Sequence, residues 1–270
     1  MKLDIQTEIQ SLMDRVMQRV LVEDPFIPEK HWAAKPLYAA LVPDEIFKGS
    51  HFERRFVTPF GHVWENLALI AAKHGFGHGS REYMLTGTVK DGRLRRISEV
   101  LNQLEHKAQG GKRQKPDWHT ELAYILEGRG AEIPVNVICD LYVENKQTGA
   151  RVAFELKGPL PNSDQTKVSK EKLLKLYAMT IPQVDEAYFA LPYNPYGKKE
   201  NYDWSFPNRW FNMKTDAVVL VGNEFWERVG GLGTYQAFID AVNEISTEYK
   251  LRIYREYLGI EPSAYVDRSL

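Results

Sequence analysis

The sequence predicts an α/β fold in which a mixed central sheet is flanked by helices and preceded by a helical N-terminal half. Two observations carry this. Strand-like stretches recur near 135 to 143, 151 to 157, 185 to 191 and 217 to 221, and segments with apolar residues at helical spacing precede, separate and follow them. With 270 residues and 43% hydrophobic content the chain can bury a full core. One domain over 1–270 is expected, mostly helical over 1–130, with the sheet in 131–270.

Residues 3 to 21 place Ile5, Ile9, Leu12, Val16 and Val20 on one helical stripe, stopped by Asp24-Pro25. Residues 25 to 59, broken by Pro25, Pro28, Pro36, Pro43 and Pro59, read as short helices joined by turns. From Gly61 another helix carries Val63, Leu67 and Ile70 inward and Glu65 off that stripe. His74-Gly-Phe-Gly-His78-Gly reads as a loop; two histidines without a fixed ligand pattern do not signal zinc. A helix over 94 to 108, a polar loop from Gln109 to Pro116 and a short helix from Thr120 to Leu126 lead to the central hairpin.

In the first arm of that hairpin Val135, Val137, Cys139, Leu141 and Val143 alternate with Asn136, Ile138, Asp140, Tyr142 and Glu144. In the second, Val152, Phe154 and Leu156 form the apolar row, so Glu155 and Lys157 project from the other side. Asn145-Lys-Gln-Thr-Gly149 is turn chemistry, and opposed residues of an antiparallel pair share a face, so Asp140 comes beside Glu155 or Lys157. Two carboxylates and an ammonium suit phosphodiester hydrolysis: the carboxylates hold a divalent cation and the lysine positions water or offsets charge on the phosphorane. Beyond the hairpin, a helix spans Val168 to Thr180, and strands follow over Asp185 to Pro192 and Ala217 to Val221. The long aromatic and basic segment from Tyr193 to Lys214 separates those strands, Gly230-Gly-Leu-Gly stops a helix, and Tyr235 to Tyr257 forms one or two closing helices.

No apolar run approaches a membrane span and Met1-Lys-Leu-Asp-Ile-Gln lacks a signal-peptide core, so a cytoplasmic protein is expected. Cys139 is the single cysteine, which excludes an intrachain disulfide and a Cys-based zinc site. With 35 basic and 36 acidic residues the net charge is −1, so any nucleic-acid contact must be local. Such a local excess lies between Lys90 and Lys115, where Lys90, Arg93, Arg95, Arg96, Lys107, Lys112, Arg113 and Lys115 face Asp91, Glu99 and Glu105.

Asp140 followed by Phe154-Glu155-Leu-Lys157-Gly resembles the PD-(D/E)xK nucleases, with a restriction-endonuclease-like core. Gly158-Pro-Leu-Pro-Asn-Ser-Asp-Gln-Thr-Lys167 and Phe225-Trp-Glu-Arg-Val-Gly-Gly-Leu-Gly-Thr-Tyr235 resemble type II restriction endonucleases, more narrowly the TdeIII-like group. The resemblance covers roughly residues 130 to 245 and departs at Cys139, where proline is common. Pro116-Asp117 is a literal Pro-Asp in a basic loop, too far upstream to be the motif.

The resemblance implies a Mg2+-dependent enzyme cutting double-stranded DNA at a short palindrome, GGNCC for the narrower group, as a homodimer paired functionally with a cognate DNA methyltransferase. It implies Asp140 and Glu155 as metal ligands, aided by the Leu156 carbonyl, Lys157 as the catalytic lysine, and Glu65 as a third carboxylate brought by the preceding helix. Candidate DNA contacts are Lys112, Arg113, Lys115, Lys167, Lys170, Asn194, Lys198 and Arg209, with Lys172 and Lys175 near the Glu-x-Lys strand as further phosphate contacts. Two alternatives share these residues: a structure-selective repair or recombination nuclease, and a DNA-binding protein without catalysis.

Overall fold

The structure, a computed structural model, describes residues 1–107, 111 and 113–262. The chain forms two compact units, one of Met1–Leu67 with Gln236–Leu270 and one of Ala68–Tyr235.

The first unit is helical. Helix α1 (Lys2–Gln18) buries Ile5, Ile9, Leu12, Met13, Val16 and Met17, and a π-helical turn over Arg19–Glu23 continues the stripe with Val20. Short α2 (Pro28–Ala34) and α3 (Pro36–Leu41) each begin on a proline, whose fixed φ suits a first helical turn. Then come α4 (Asp44–Val57) and the start of α5 (Phe60–Gly75). Most of α10 (Thr234–Arg252), with the π-helical turn Ile253–Leu258, belongs to this unit. It is tied to α1 by Tyr249 Oη, which donates to the Gln10 carbonyl at 3.1 Å and Asp14 at 2.9 Å. It is tied to α4 by Tyr257 Oη, which donates to the Lys48 carbonyl at 2.8 Å.

The second unit is built on a five-stranded sheet in the order β1 (Gly77–Lys90), β2 (Glu132–Asn145), β3 (Arg151–Leu156), β4 (Glu186–Leu191), β5 (Val219–Val221). The first three strands pair antiparallel in succession, and β4 and β5 continue parallel to β3. Helices α6 (Asp91–Glu105) and α7 (Trp118–Leu126) precede β2, α8 (Ser163–Ala178) crosses from β3 to β4, and α9 (Asn223–Gly230) follows β5. The core joins Ile97, Leu101 and Leu104 of α6 and Leu173, Leu174 and Leu176 of α8 to Val137, Ala153 and Phe189 of the sheet.

The expected α/β arrangement and four of its strands are present, but β1 corrects the reading of His74 to Gly79 as a loop. This strand pairs with β2 from Gly77 opposite Asn145 to Lys90 opposite Glu132. Its glycines mark close packing. A Cβ on Gly79 would lie 3.1 Å from Leu69 and 3.2 Å from Ala72 of α5, and one on Gly87 would lie 2.9 Å from the Met179 sulfur. Asp117 of the literal Pro-Asp caps α7, its carboxylate accepting the Thr120 N–H at 2.8 Å.

Candidate active site

The β2–β3 hairpin supplies the site. Asn145 shapes its turn by accepting the N–H groups of Gln147 and Thr148, and the pairing ends at Leu141 opposite Phe154, which leaves Asp140 and Glu155 as the next residues of their strands. Strand alternation then divides neighbours in β3. Phe154 packs on Phe225 of α9 and Tyr188 of β4, whereas Glu155 turns toward α8.

Asp140 Oδ2 accepts the Leu156 N–H at 2.8 Å and the Lys157 ammonium at 2.7 Å. The same ammonium donates to the Leu156 carbonyl at 2.8 Å and lies 3.6 Å from Glu155 Oε2. A backbone bond from Lys157 N–H to the Ala190 carbonyl, 3.0 Å, anchors the end of β3 on β4. Glu155 is 1% exposed; its Oε1 accepts from Lys172 Nζ of α8 at 2.8 Å, and its buried Oε2 has no hydrogen bond. Asp140 and Lys157 keep 20% side-chain exposure, so the cluster has an open side.

Burial, and then the neighbouring Asp140, push the Glu155 carboxyl up to about 7 against the pull of Lys157 and Lys172. Burial opposes the charge on Lys157, but Asp140 and Glu155 outweigh it and hold the ammonium pKa above its usual value. Burial drives the Cys139 thiol up to about 12, so this cysteine is a small apolar filler beside the site. The donor set of two carboxylates and the Leu156 carbonyl is all oxygen, and the unsatisfied Glu155 Oε2 lacks a partner that a hard divalent cation would supply.

Asp140, Glu155, Leu156 and Lys157 are thus brought together. Glu65 lies in the helical unit, 3.8 Å from His62 Nδ1, and among the described residues no cluster of three or more His, Cys, Asp or Glu with metal-holding geometry is assembled. Lys172, expected at the DNA backbone, is instead bonded to Glu155; no periodicity distinguishes it from the other lysines of α8.

The candidate DNA contacts divide. Arg113, Lys115 and Arg209, from segments far apart in sequence, line one cleft of about 590 Å³ together with Phe206 and Asn208. Lys112 lies outside the described residues. Lys198 is exposed, and Asn194 shapes the loop by accepting the Tyr196 N–H at 2.9 Å. Lys167 pairs with Glu105 while lying over the Trp210 ring.

Lys170 is a correction. Its side chain is 0% exposed and donates to Glu121 and to the Trp210 carbonyl, so it cannot reach a phosphate without unpacking the core. The long segment before β5 is likewise more internal than its polarity suggests. Tyr202, Trp210, Phe211 and Met213 are buried, and Tyr202 and Trp204 donate to the carbonyls of Pro159 and Pro161, bracing the chain just beyond Lys157.

Comparison with known proteins gives one family. The family model described as "Type II restriction endonuclease, HinfI" matches residues 1–246. The chain is 28% identical over 231 residues to the type II restriction enzyme HgiCII of Herpetosiphon aurantiacus, covering 83% of this chain and 82% of that protein. It is 25% identical over 268 residues to HgiEI of the same organism, covering 94% and 93%, and 25% identical over 236 residues to HgiBI, covering 83% and 81%. No solved structure matches.

Proposed function

The chain belongs to the HinfI family of type II restriction endonucleases, site-specific enzymes that cut double-stranded DNA, and from that premise we propose that Asp140, Glu155 and Lys157 are its active site, of the PD-(D/E)xK type, served by Mg2+. The observation that carries the assignment is the position of the Lys157 ammonium, 2.7 Å from Asp140 and 3.6 Å from a buried, unsatisfied Glu155 oxygen. Such an arrangement is unneeded for binding alone, since it gathers two carboxylates from neighbouring strands and leaves a buried carboxylate oxygen without a hydrogen bond.

Asp140 and Glu155 would hold the cation, with the Leu156 carbonyl as a further oxygen donor. When bound, such a cation supplies positive charge to the phosphoryl oxygens and makes water acidic enough to attack. Lys157, fixed by Asp140 and the Leu156 carbonyl, would orient the attacking water and offset the charge that builds on the phosphorane.

The expected result for Lys157→Ala is a loss of cleavage of about 10²-fold or more, with DNA affinity in Ca2+ kept, because its contribution is larger in the transition state than in the ground state. Cleavage retained by that variant would overturn the assignment.

A palindromic site cut on both strands needs two copies of the single carboxylate and lysine set, so we place the active enzyme as a homodimer related by a two-fold axis. It would act in the cytoplasm beside a cognate methyltransferase; among the described residues no helix is long and apolar enough to cross a membrane. GGNCC, from the resemblance to the TdeIII-like group, is the site to test first by mapping the ends of a digested plasmid. The cleft between Arg113, Lys115 and Arg209 is the proposed DNA-reading surface. Loss of a base-reading arginine should cost about 1 to 3 kcal/mol at one base position, whereas loss of a phosphate contact weakens binding to all sequences alike. Arg113→Ala and Arg209→Ala binding to cognate and random duplexes separates the two.

A further inference from the structure

We propose that Lys172 is a positioning residue of the active site, holding Glu155 through Oε1 so that Oε2 stays turned to the divalent cation. The inference rests on the active-site reading above.

Glu155 is almost wholly buried and has one hydrogen bond, from Lys172 Nζ to Oε1 at 2.8 Å. Lys157, although on the same strand, does not hold it. Its ammonium is bonded to Asp140 and the Leu156 carbonyl and stands 3.6 Å from Glu155 Oε2, beyond hydrogen-bond reach. Without Lys172 the carboxylate would be free to rotate about its terminal torsion, which is soft and roughly two-fold. With Lys172 in place the two oxygens are unequal, one hydrogen-bonded by an ammonium and the other without a hydrogen bond.

The aim of Lys172 is itself fixed. Helix α8 starts in a capping box, where Asn162 accepts the Gln165 N–H at 2.8 Å and Gln165 reaches back to Asn162. Thr166, Ser169, Lys170, Leu173 and Leu174 are all fully buried on α8. Lys170, locked to Glu121 and the Trp210 carbonyl, prevents the helix from turning about its axis. Lys172 therefore comes from a rigid element, the arrangement that lets an outer partner set the orientation of a metal ligand.

A bystander lysine would act on a nearby cation by repulsion alone, and its removal would tighten metal binding. A positioning lysine gives the opposite sign. The test is titration of the full, metal-free chain with Mn2+, followed by electron paramagnetic resonance, with circular dichroism as a check on folding. Lys172→Met should weaken Mn2+ binding by about 10-fold or more, and Lys172→Arg, which restores a donor to Oε1, should recover most of it. If Lys172→Met fails to fold, Lys172→Ala, which also lacks a donor, is judged by the same criterion.

Binding equal to or tighter than wild type in the folded variant overturns the proposal. Asp140→Asn keeps the failures distinct. Loss of Mn2+ binding there with none in Lys172→Met leaves the active site standing and removes Lys172 from it. Binding unchanged in Asp140→Asn removes the site itself, and the proposal with it.

Discussion

Two lysines of one helix, Lys170 and Lys172, each meet a buried glutamate, and the molecule uses them in opposite ways. They are two residues apart on α8, so they point about 200° away from each other. The Lys170–Glu121 pair is sealed: side-chain exposures are 0% and 2%, and the ammonium also donates to the Trp210 carbonyl and lies over the rings of Phe211 and Trp118. The Lys172–Glu155 pair has an open side, and one oxygen of Glu155 has no hydrogen bond. A fully satisfied pair has nothing to offer a ligand. What marks the functional pair is therefore a carboxylate oxygen left without a hydrogen bond in a cluster that opens to solvent at Asp140 and Lys157, more than burial or the presence of opposite charges.

The largest effect should come from breaking the sealed pair. Burial lowers the Lys170 pKa and raises that of Glu121, and each partner offsets the cost of charging the other. Glu121→Ala leaves an ammonium in the core without its counter-ion, and a loss of about 3 to 5 kcal/mol in urea unfolding is expected. The double variant Glu121→Leu with Lys170→Met should return to wild-type stability or above, since a well-packed apolar pair removes the desolvation cost. If the double variant is as unstable as the single, Lys170 does more than fill the core.

The open pair should give a pH signature instead. The Glu155 carboxyl stands at about 7 in the folded chain against an ordinary 4.5, raised first by burial and then by Asp140. Its folded pKa is the higher one, so between pH 4.5 and 7 the native state holds more protons than the unfolded chain. That contribution to stability is complete below 4.5 and is lost as pH rises through 7. In metal-free protein, Glu155→Gln should therefore gain melting temperature relative to wild type between pH 5 and pH 8. A constant difference across that range would place Glu155 in ordinary solvent.

The contrast also shows what was legible beforehand. The hairpin was readable because its two arms alternate strictly, and a period of two places Asp140, Glu155 and Lys157 without knowledge of anything else. The roles of Lys170 and Lys172 were not, because the buried side of α8 contains Thr166, Ser169 and Lys170, which erase the apolar stripe that would have oriented the helix. Strand β1 was hidden for a related reason. Of its fourteen residues only Leu85 and Val89 are buried, and Gly79, demanded by Leu69 and Ala72, reads locally as part of a loop. The return of α10 to α1 through Tyr249, Asp14 and Arg252 depends on contacts more than two hundred residues apart, which no local pattern encodes.

A third pair on the same helix sets the lower bound of the comparison. Lys175 and Glu171 are an i,i+4 pair 2.6 Å apart, with side chains 30% and 38% exposed. The basic residue follows the acidic one, the better order on a helix, yet both charges stay hydrated and the pair orders two long side chains. Lys175→Gln should therefore cost about 0.3 to 0.5 kcal/mol in urea unfolding, and that small loss should shrink further at high salt because exposed charges are screened. Helix, residue types and chemistry are the same as at Lys170, so the expected fall from several kcal/mol to a fraction of one isolates solvent as the variable. A loss at Lys175 comparable to that at Glu121 would show that the helix itself, rather than access to water, sets the worth of its ion pairs.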